Sequence, residues 1–237
     1  MKAWQHDQLE LLLGTRNPEQ LFQRLVALAR QLDFDYCAYG IRMPLPVTNP
    51  RIVMFNNYPA EWRRMYLERS YVAVDPTVQH GARSLFPVIW SDKLFESARE
   101  LWEEARSFGL RHGWARSSFD SNGIGGLMTL ARTADPLSEV ELRDKAMMMD
   151  WLTQAAHIAM SKCLTPKLMP ELEARLSKQE ITVLRWTGEG YCSREIADVM
   201  NIAERTVNFH ASNAMAKLNA TNKTSAVMRA AVLGLLY

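Results

Sequence analysis

The chain has 237 residues, 48% of them hydrophobic and 23% charged, with a formal net charge of +2. That length admits two domains and that balance supports a sizeable buried core, which excludes a low-complexity or disordered chain. No apolar run reaches the roughly 18 residues of a membrane span, and the opening Met-Lys-Ala-Trp-Gln-His-Asp is followed by polar residues rather than the apolar core of a signal peptide.

In chain order, residues 4–13 read as a helix. Asn17-Pro18 opens a second, with Asn as cap and Pro at the first helical position, and Leu21, Leu25, Leu28 and Leu32 give it one apolar stripe. Residues 34–42 alternate as a strand, one face carrying Phe34, Tyr36, Ala38, Gly40 and Arg42, so that face narrows to small side chains midway. The proline-rich stretch 43–50 reads as a loop, residues 51–56 as a strand, 59–69 as a helix, and Asp75-Pro76 as the start of a further short helix. Residues 86–90, 114–119 and 124–132 complete an antiparallel sheet of about five strands, with a helix near 96–107 and a hairpin turn at Asp120-Ser-Asn-Gly123. Residues 138–162 form a long helix, and 165–173, beginning Thr165-Pro-Lys-Leu-Met-Pro170, a linker. Met147, Trp151 and Ile158 lie near one face of that helix, which suits a dimer seam and burial against its own sheet equally. Helices on both faces of the sheet would make an α-β-α sandwich, and the predicted fold class is α+β.

Beyond the linker, Ser177 and Glu180 make a capping box, with Leu176 placed to staple onto Ile181 and Gly188 and Gly190 ending the helix. Residues 194–218 read as two helices broken by a turn, Asn201 suiting the left-handed position between them. In the second, Val207, Ala211, Ala214 and Leu218 form an apolar stripe, while Arg205, Asn208 and Ser212 lie opposite, offering a cation, an amide and a hydroxyl. Asn222 caps a last helix, in which Ala226, Ala230 and Leu233 share a face. The four short helices describe a helix-turn-helix module; on pattern alone, a pair of core helices in any α-helical domain fits as well. Divided near residue 167, the first part is neutral and the second carries the +2, slight electrostatic support for DNA.

In the first part, Tyr58, Trp62 and Tyr66 recur at i, i+4 and i+8 on one helix face, ahead of Asp75-Pro76 and Trp90. An aromatic stripe is ordinary core and an Asp before Pro is an ordinary cap. Taken together around Ala38 and Gly40, two buried donors and one acceptor suit a molecule with two carbonyls and an amide N–H. The residues alone do not name it. Three cysteines (Cys37, Cys163, Cys192) and five histidines show no metal spacing, and no G-x-S-x-G, Walker or dinucleotide-binding string is present, so no enzyme and no cofactor is expected.

Glu180, Leu184 and Gly190, with Glu195-Ile-Ala and Arg205-Thr-Val-Asn-Phe-His, resemble the carboxy-terminal DNA-binding domain of LuxR-type transcription regulators. Tyr58, Trp62, Tyr66, Asp75, Pro76, Trp90 and Gly113 are similar to the autoinducer-binding domain of the same family. Asn57-Tyr-Pro-Ala-Glu-Trp, Asp75-Pro-Thr-Val-Gln-His-Gly and Arg111-His-Gly-Trp look closest to an orphan receptor within it. The resemblance implies a ligand-binding domain over residues 1–164, the linker over 165–173 and a DNA-binding domain over 174–237. It implies a cytoplasmic, homodimeric, quorum-sensing regulator that binds an N-acyl-homoserine lactone and an inverted repeat in double-stranded DNA. The alternative is a family member sensing another small molecule, or acting without one.

The resemblance also implies roles. Trp62 donates to the lactone carbonyl, Asp75 accepts from the amide N–H, and Tyr58, helped by Thr129, donates to the amide carbonyl. Tyr66, Trp90, Trp102, Leu110 and Leu127 supply apolar walls, Ala38 and Gly40 line the acyl chain, and Arg42 reaches a 3-oxo group or a solvated rim. On DNA, Asn208 and Ser212 face bases, while Arg205, Thr206, Lys217 and Lys223 contact phosphate. Ala203 departs from the Ser or Thr that usually caps the recognition helix, so that cap is expected to be missing.

Overall fold

The computed structural model describes residues 3–170 and 175–236. These form two compact units: the first from the described parts of Met1–Arg42, Ile52–Asp120 and Ile124–Leu164, the second from those of Met43–Arg51, Ser121–Gly123 and Thr165–Tyr237.

In the first unit, α1 (Ala3–Gly14) and α2 (Pro18–Arg30) precede β1 (Tyr36–Arg42) and β2 (Ile52–Asn56). Then come α3 (Ala60–Glu68), α4 (Pro76–Gly81), β3 (Val88–Ile89), α5 (Arg99–Ser107), β4 (His112–Phe119), β5 (Gly125–Arg132) and α6 (Glu139–Leu168). α2 starts as its sequence dictates: the Asn17 side chain accepts from the Gln20 backbone N–H at 2.9 Å, and Pro18 follows in the first turn. The sheet is antiparallel throughout, in the order β2-β1-β5-β4-β3. β3 is shorter than the predicted 86–90 because Pro87 has no N–H to pair and Phe86 is exposed at this sheet edge.

Alternation along β1 and β5 divides the chemistry. Cys37, Tyr39, Ile41, Met128 and Leu130 are buried on one face. There α2 packs on β1 and β2, and α6 brings His157 Nδ1 to 2.9 Å from the Tyr39 hydroxyl. Ala38 and Gly40 turn to the other face, opposite Thr129 and Leu127 in register, where α3, α4 and α5 lie. Helices on both faces of a five-stranded antiparallel sheet are the α-β-α sandwich expected.

α6 corrects the sequence reading at its far end. The helix was expected to stop near residue 162, yet Thr165–Leu168, assigned to the linker, continue it with Pro166 inside. Burial of Leu164 and Met169 on either side of that turn outweighs the one N–H bond that Pro166 forfeits. Residues 171–173 of the expected linker lie outside the described residues, as does 174. Met147 and Ile158 are 81% and 51% exposed, whereas Met149, Leu152, Ala156 and Met160 are buried, so the former two do not belong to the sheet-facing side.

Arg132, at the end of β5, clasps α6 through two bonds to Glu141 of 2.7 and 2.6 Å, and Lys145 joins Glu141 to Asp33. Arg132, against the cost of partial burial, and then Lys145 hold the Glu141 carboxyl at about 2. A carboxylate held low stabilises the fold fully above the unfolded value near 4.5 and loses that contribution as pH falls toward 2. The clasp is worth roughly 3 kcal/mol on this basis. The stability gap between wild type and Glu141→Gln, from urea unfolding, should be constant at neutral pH and narrow below about pH 4.5. A gap independent of pH would show that the clasp contributes nothing.

The second unit contains α7 (Lys178–Gly188), α8 (Ser193–Met200), α9 (Glu204–Lys217) and α10 (Lys223–Val232). The capping box is in place: Ser177 Oγ accepts from Glu180 N at 3.2 Å, and the Glu180 carboxylate accepts from Ser177 N at 2.7 Å. Asn201 ends α8 at φ 52° and ψ 48°, the left-handed geometry its short amide tolerates. Val183, Ile196, Ala197, Val207 and Ala211 meet in the core between the helices.

Candidate ligand site and nucleic-acid interface

A cavity of about 630 Å³ lies in the first unit, against the Ala38–Gly40 face of the sheet. Small-molecule sites span about 300–1,000 Å³. Ala38, Gly40, Leu127 and Thr129 come from β1 and β5, and Tyr58, Trp62, Tyr66 and Asp75 from α3, its approach and the start of α4. Trp90, Leu110 and Arg42 line it as well. Arg63 also lines it, one residue after Trp62, and was not singled out in the sequence.

Asp75 does two jobs. Its Oδ1 caps α4, accepting from the Thr77 N–H at 2.8 Å and the Thr77 hydroxyl at 2.7 Å. Its Oδ2 accepts from the Tyr66 hydroxyl at 2.9 Å. Burial pushes the carboxyl above its usual range, and the bonds from Thr77 and Tyr66 pull the other way. Tyr66 is therefore more than the apolar wall expected: it holds the carboxylate in place from across the cavity edge. Thr77, which is buried, was not singled out, although its place two residues after the capping Asp75 is its signal.

The donors face the same space. Trp62 is 3% exposed, and among the described residues no hydrogen bond is made by its Nε1, by the Tyr58 hydroxyl or by the Thr129 hydroxyl. Burial raises the Tyr58 hydroxyl well above the usual phenol range, with further rises from Cys37 and Asp75, so it keeps its proton to donate. Trp90 Nε1 is buried without a partner among the described residues, a second indole N–H at the wall. The Trp90 indole lies directly over Gly113: a Cβ there would stand 2.2 Å from Cδ2.

Trp102 is a correction. It does not line the cavity. It stacks on Phe95 at 4.6 Å and gives its indole N–H to Asp92 Oδ1 at 2.7 Å, one layer behind Trp90. Its amphipathic helix places it in the core, and the partner Asp92 at the surface draws the ring outward.

In the second unit, Val207, Ala211, Ala214 and Leu218 are buried as their spacing requires, and Arg205, Asn208 and Ser212 are exposed. Thr206 is half-buried. Phe209, 61% exposed beside Asn208, was not singled out; a large apolar ring on the polar side of the helix is its signal. Lys217 is a further correction. It was assigned to phosphate, but its ammonium reaches both Glu180 oxygens, at 2.9 and 2.8 Å, and the Arg175 carbonyl at 3.1 Å. Burial works against the Glu180 charge, yet Lys217 and the Ser177 N–H hold this carboxyl below its ordinary value. An ion pair that satisfies a buried carboxylate leaves Lys217 a structural residue. Lys223 is held by Ser193 Oγ and Asn208 Oδ1 at 2.6 and 2.8 Å.

α9 starts on Ala203 with no side-chain cap, as anticipated. Ala203→Ser should therefore stabilise this unit by about 0.5–2 kcal/mol. Thermal unfolding of wild type and variant checks it; an unchanged or lower midpoint would mean that the first turn is already satisfied by other means.

Residues 17–160 match the autoinducer binding domain, and residues 174–230 match the bacterial regulatory proteins of the luxR family. The chain belongs to the LuxR family. This LuxR-family chain is 46% identical to the transcriptional activator protein AnoR of Acinetobacter nosocomialis, over all of both chains. It is 33% identical to the regulatory protein SdiA of Escherichia coli, over 99% of this chain and 97% of SdiA. A solved structure of SdiA in complex with octanoyl-rac-glycerol superposes with a TM-score of 0.85 at 33% identity, covering 99% of this chain and 96% of that one. The N-acylhomoserine lactone dependent LuxR-family factor CepR2 from Burkholderia cenocepacia superposes with a TM-score of 0.62 at 32% identity, over 67% of this chain and 94% of that one. The relatives are transcription regulators, and this LuxR-family chain is a transcription regulator with an autoinducer-binding domain, not an enzyme. Among its described residues, no helix is long and apolar enough to cross a membrane.

Proposed function

We propose that this regulator binds an N-acyl-homoserine lactone in the cavity of its first unit and, as a cytoplasmic homodimer, an inverted repeat in double-stranded DNA through α9. The observation that carries the ligand reading is the convergence on one cavity of Trp62 Nε1, the Tyr58 and Thr129 hydroxyls and the Asp75 carboxylate. Trp62 donates to the lactone carbonyl, Tyr58 and Thr129 to the amide carbonyl, and Asp75 accepts the amide proton. Tyr66, Trp90, Leu110 and Leu127 wall the ring and chain, Ala38 and Gly40 make room for the chain, and Arg42 stands at the strand end within reach of a 3-oxo group. In this reading the motif strings at 57–62, 75–81 and 111–114 resemble those of the orphan receptor QscR. The domains divide as 1–164 and 174–237, with the last turn of α6 and residues 169–173 between them.

Ligand bound only to the folded state at a hundred times its dissociation constant adds roughly 2.7 kcal/mol, so the lactone selects a folded, pairing-competent state. The exposed Met147 and Ile158 of α6 make that helix the proposed seam between copies. A two-fold dimer sets its two α9 helices in successive major grooves, with Arg205, Thr206 and Lys223 on phosphate and Asn208 and Ser212 facing bases.

A second reading, that the ligand is a different acylated molecule, is favoured by the octanoyl glycerol held by SdiA. Native mass spectrometry of full-length protein with a panel of acyl-homoserine lactones and monoacylglycerols separates the two and counts subunits. Trp62→Phe keeps the ring and removes one donor, a change of about tenfold in the half-maximal ligand concentration. An unaltered promoter-reporter dose response would remove Trp62 from the site.

A further inference from the structure

The face of α9 carries an amide whose orientation is set from behind. Asn208 Oδ1 accepts from the Ser193 hydroxyl of α8 at 2.9 Å and from the Lys223 ammonium of α10 at 2.8 Å, and Lys223 also donates to Ser193 Oγ at 2.6 Å. The three side chains close a ring in which every role is determined. An ammonium has three donors and no acceptor, so the atom of Asn208 that faces it must be the carbonyl oxygen. The Ser193 hydroxyl gives its one proton to that same oxygen and accepts from Lys223 on a lone pair. Both lone pairs of Oδ1 are thereby used.

We propose that Ser193 and Lys223 lock Asn208 as a donor-only reader, which selects guanine, and then thymine, over adenine at its base pair. The proposal rests on α9 being the base-reading helix, as above. An unrestrained asparagine reads adenine with both ends of its amide, Oδ1 accepting from N6–H and Nδ2 donating to N7. Here the accepting end is taken, and what Asn208, an exposed residue, has left to offer is its two Nδ2 protons. Guanine offers O6 and N7 side by side as acceptors and thymine offers O4, whereas adenine keeps N7 alone and sets its amino group beside it, against the amide's second proton. Cytosine presents only an amino donor and is disfavoured further. The third proton of Lys223 stays available to a phosphate, so the residue that positions the amide can also fix its register on the backbone.

The test is selection of full-length protein on a library of double-stranded DNA randomised across the operator, for wild type, Lys223→Met, Ser193→Ala, Lys223→Arg and Asn208→Ala. Wild type should show one position per half-site where guanine or thymine exceeds adenine by roughly tenfold, and Asn208→Ala should flatten that position alone. Lys223→Met and Ser193→Ala should each admit adenine there, while Lys223→Arg, which still donates, should retain the wild-type preference. A phosphate role for Lys223 alone predicts a uniform fall in affinity with base preferences unchanged, and that result would overturn the lock. Adenine preferred by wild type and lost in Asn208→Ala would also overturn it while leaving α9 as the reader. No change in any base preference with Asn208→Ala would overturn the lock together with the base-facing role given to Asn208. Thermal unfolding of each variant separates a lost fold from a changed preference.

Discussion

Asp75→Asn should weaken ligand response by about 10- to 100-fold while leaving the first unit folded. Asparagine is as good a helix cap as aspartate, so its oxygen can still take the Thr77 N–H and start α4. The lost group is the second oxygen, now an NH2 facing the Tyr66 hydroxyl and, on the proposed reading, the ligand amide. The Tyr66 hydroxyl can turn to accept, but the amide N–H of the proposed ligand would meet a donor where a charge-assisted bond worth about 1.5–3 kcal/mol had been. Burial already makes the charge costly in the wild type, so the variant should lose little stability of its own. Isothermal titration and reporter midpoints measure the change. A midpoint within about twofold of wild type, well short of the loss expected for such a bond, would take Asp75 out of the ligand site.

Gly113→Ala is the second large effect. The added methyl would lie 2.2, 2.5 and 2.6 Å from three carbons of the Trp90 indole, closer than any real contact. The ring cannot retreat into the sheet and is pushed toward the cavity, so stability and ligand affinity should fall together. Overpacking of this kind costs about 1–3 kcal/mol. Trp90→Ala removes the clash but itself costs about 3–5 kcal/mol of packing, so the double variant should lose less than the sum of the two single losses in thermal midpoint. Simple additivity of the two losses would show that the methyl is accommodated by backbone movement elsewhere.

The parts of this fold that could be read in advance are those decided within a turn of chain. Asn17, Asp75, Ser177 and Asn222 cap helices because the acceptor and the N–H it satisfies lie within three residues. Asn201 ends α8 because of its own backbone preference. The small face of β1 was legible as alternation, and its opposition to Thr129 and Leu127 followed once the sheet closed. What was misread depends on partners far along the chain. Lys217 looked like a phosphate contact until Glu180, buried by its own capping box, supplied a charge to meet it. Trp102 looked like a wall until Asp92 claimed its indole N–H. Ser193 gave no signal at all, because its meaning comes from Asn208 and Lys223 on two other helices. The end of α6 was misplaced because a proline argues for a break, whereas the burial of Leu164 and Met169 is a property of the folded state.

Gly40 has a consequence for how such receptors diverge. A Cβ built on it would touch nothing nearer than Met54 Cγ, at 3.8 Å, so the strand itself does not demand glycine there. Missing bulk at this point is therefore free to be filled, one methyl or one branch at a time, without disturbing the scaffold around it. If the proposed ligand occupies this cavity, side-chain size at Gly40 would set the room left for its chain while the strand keeps its place.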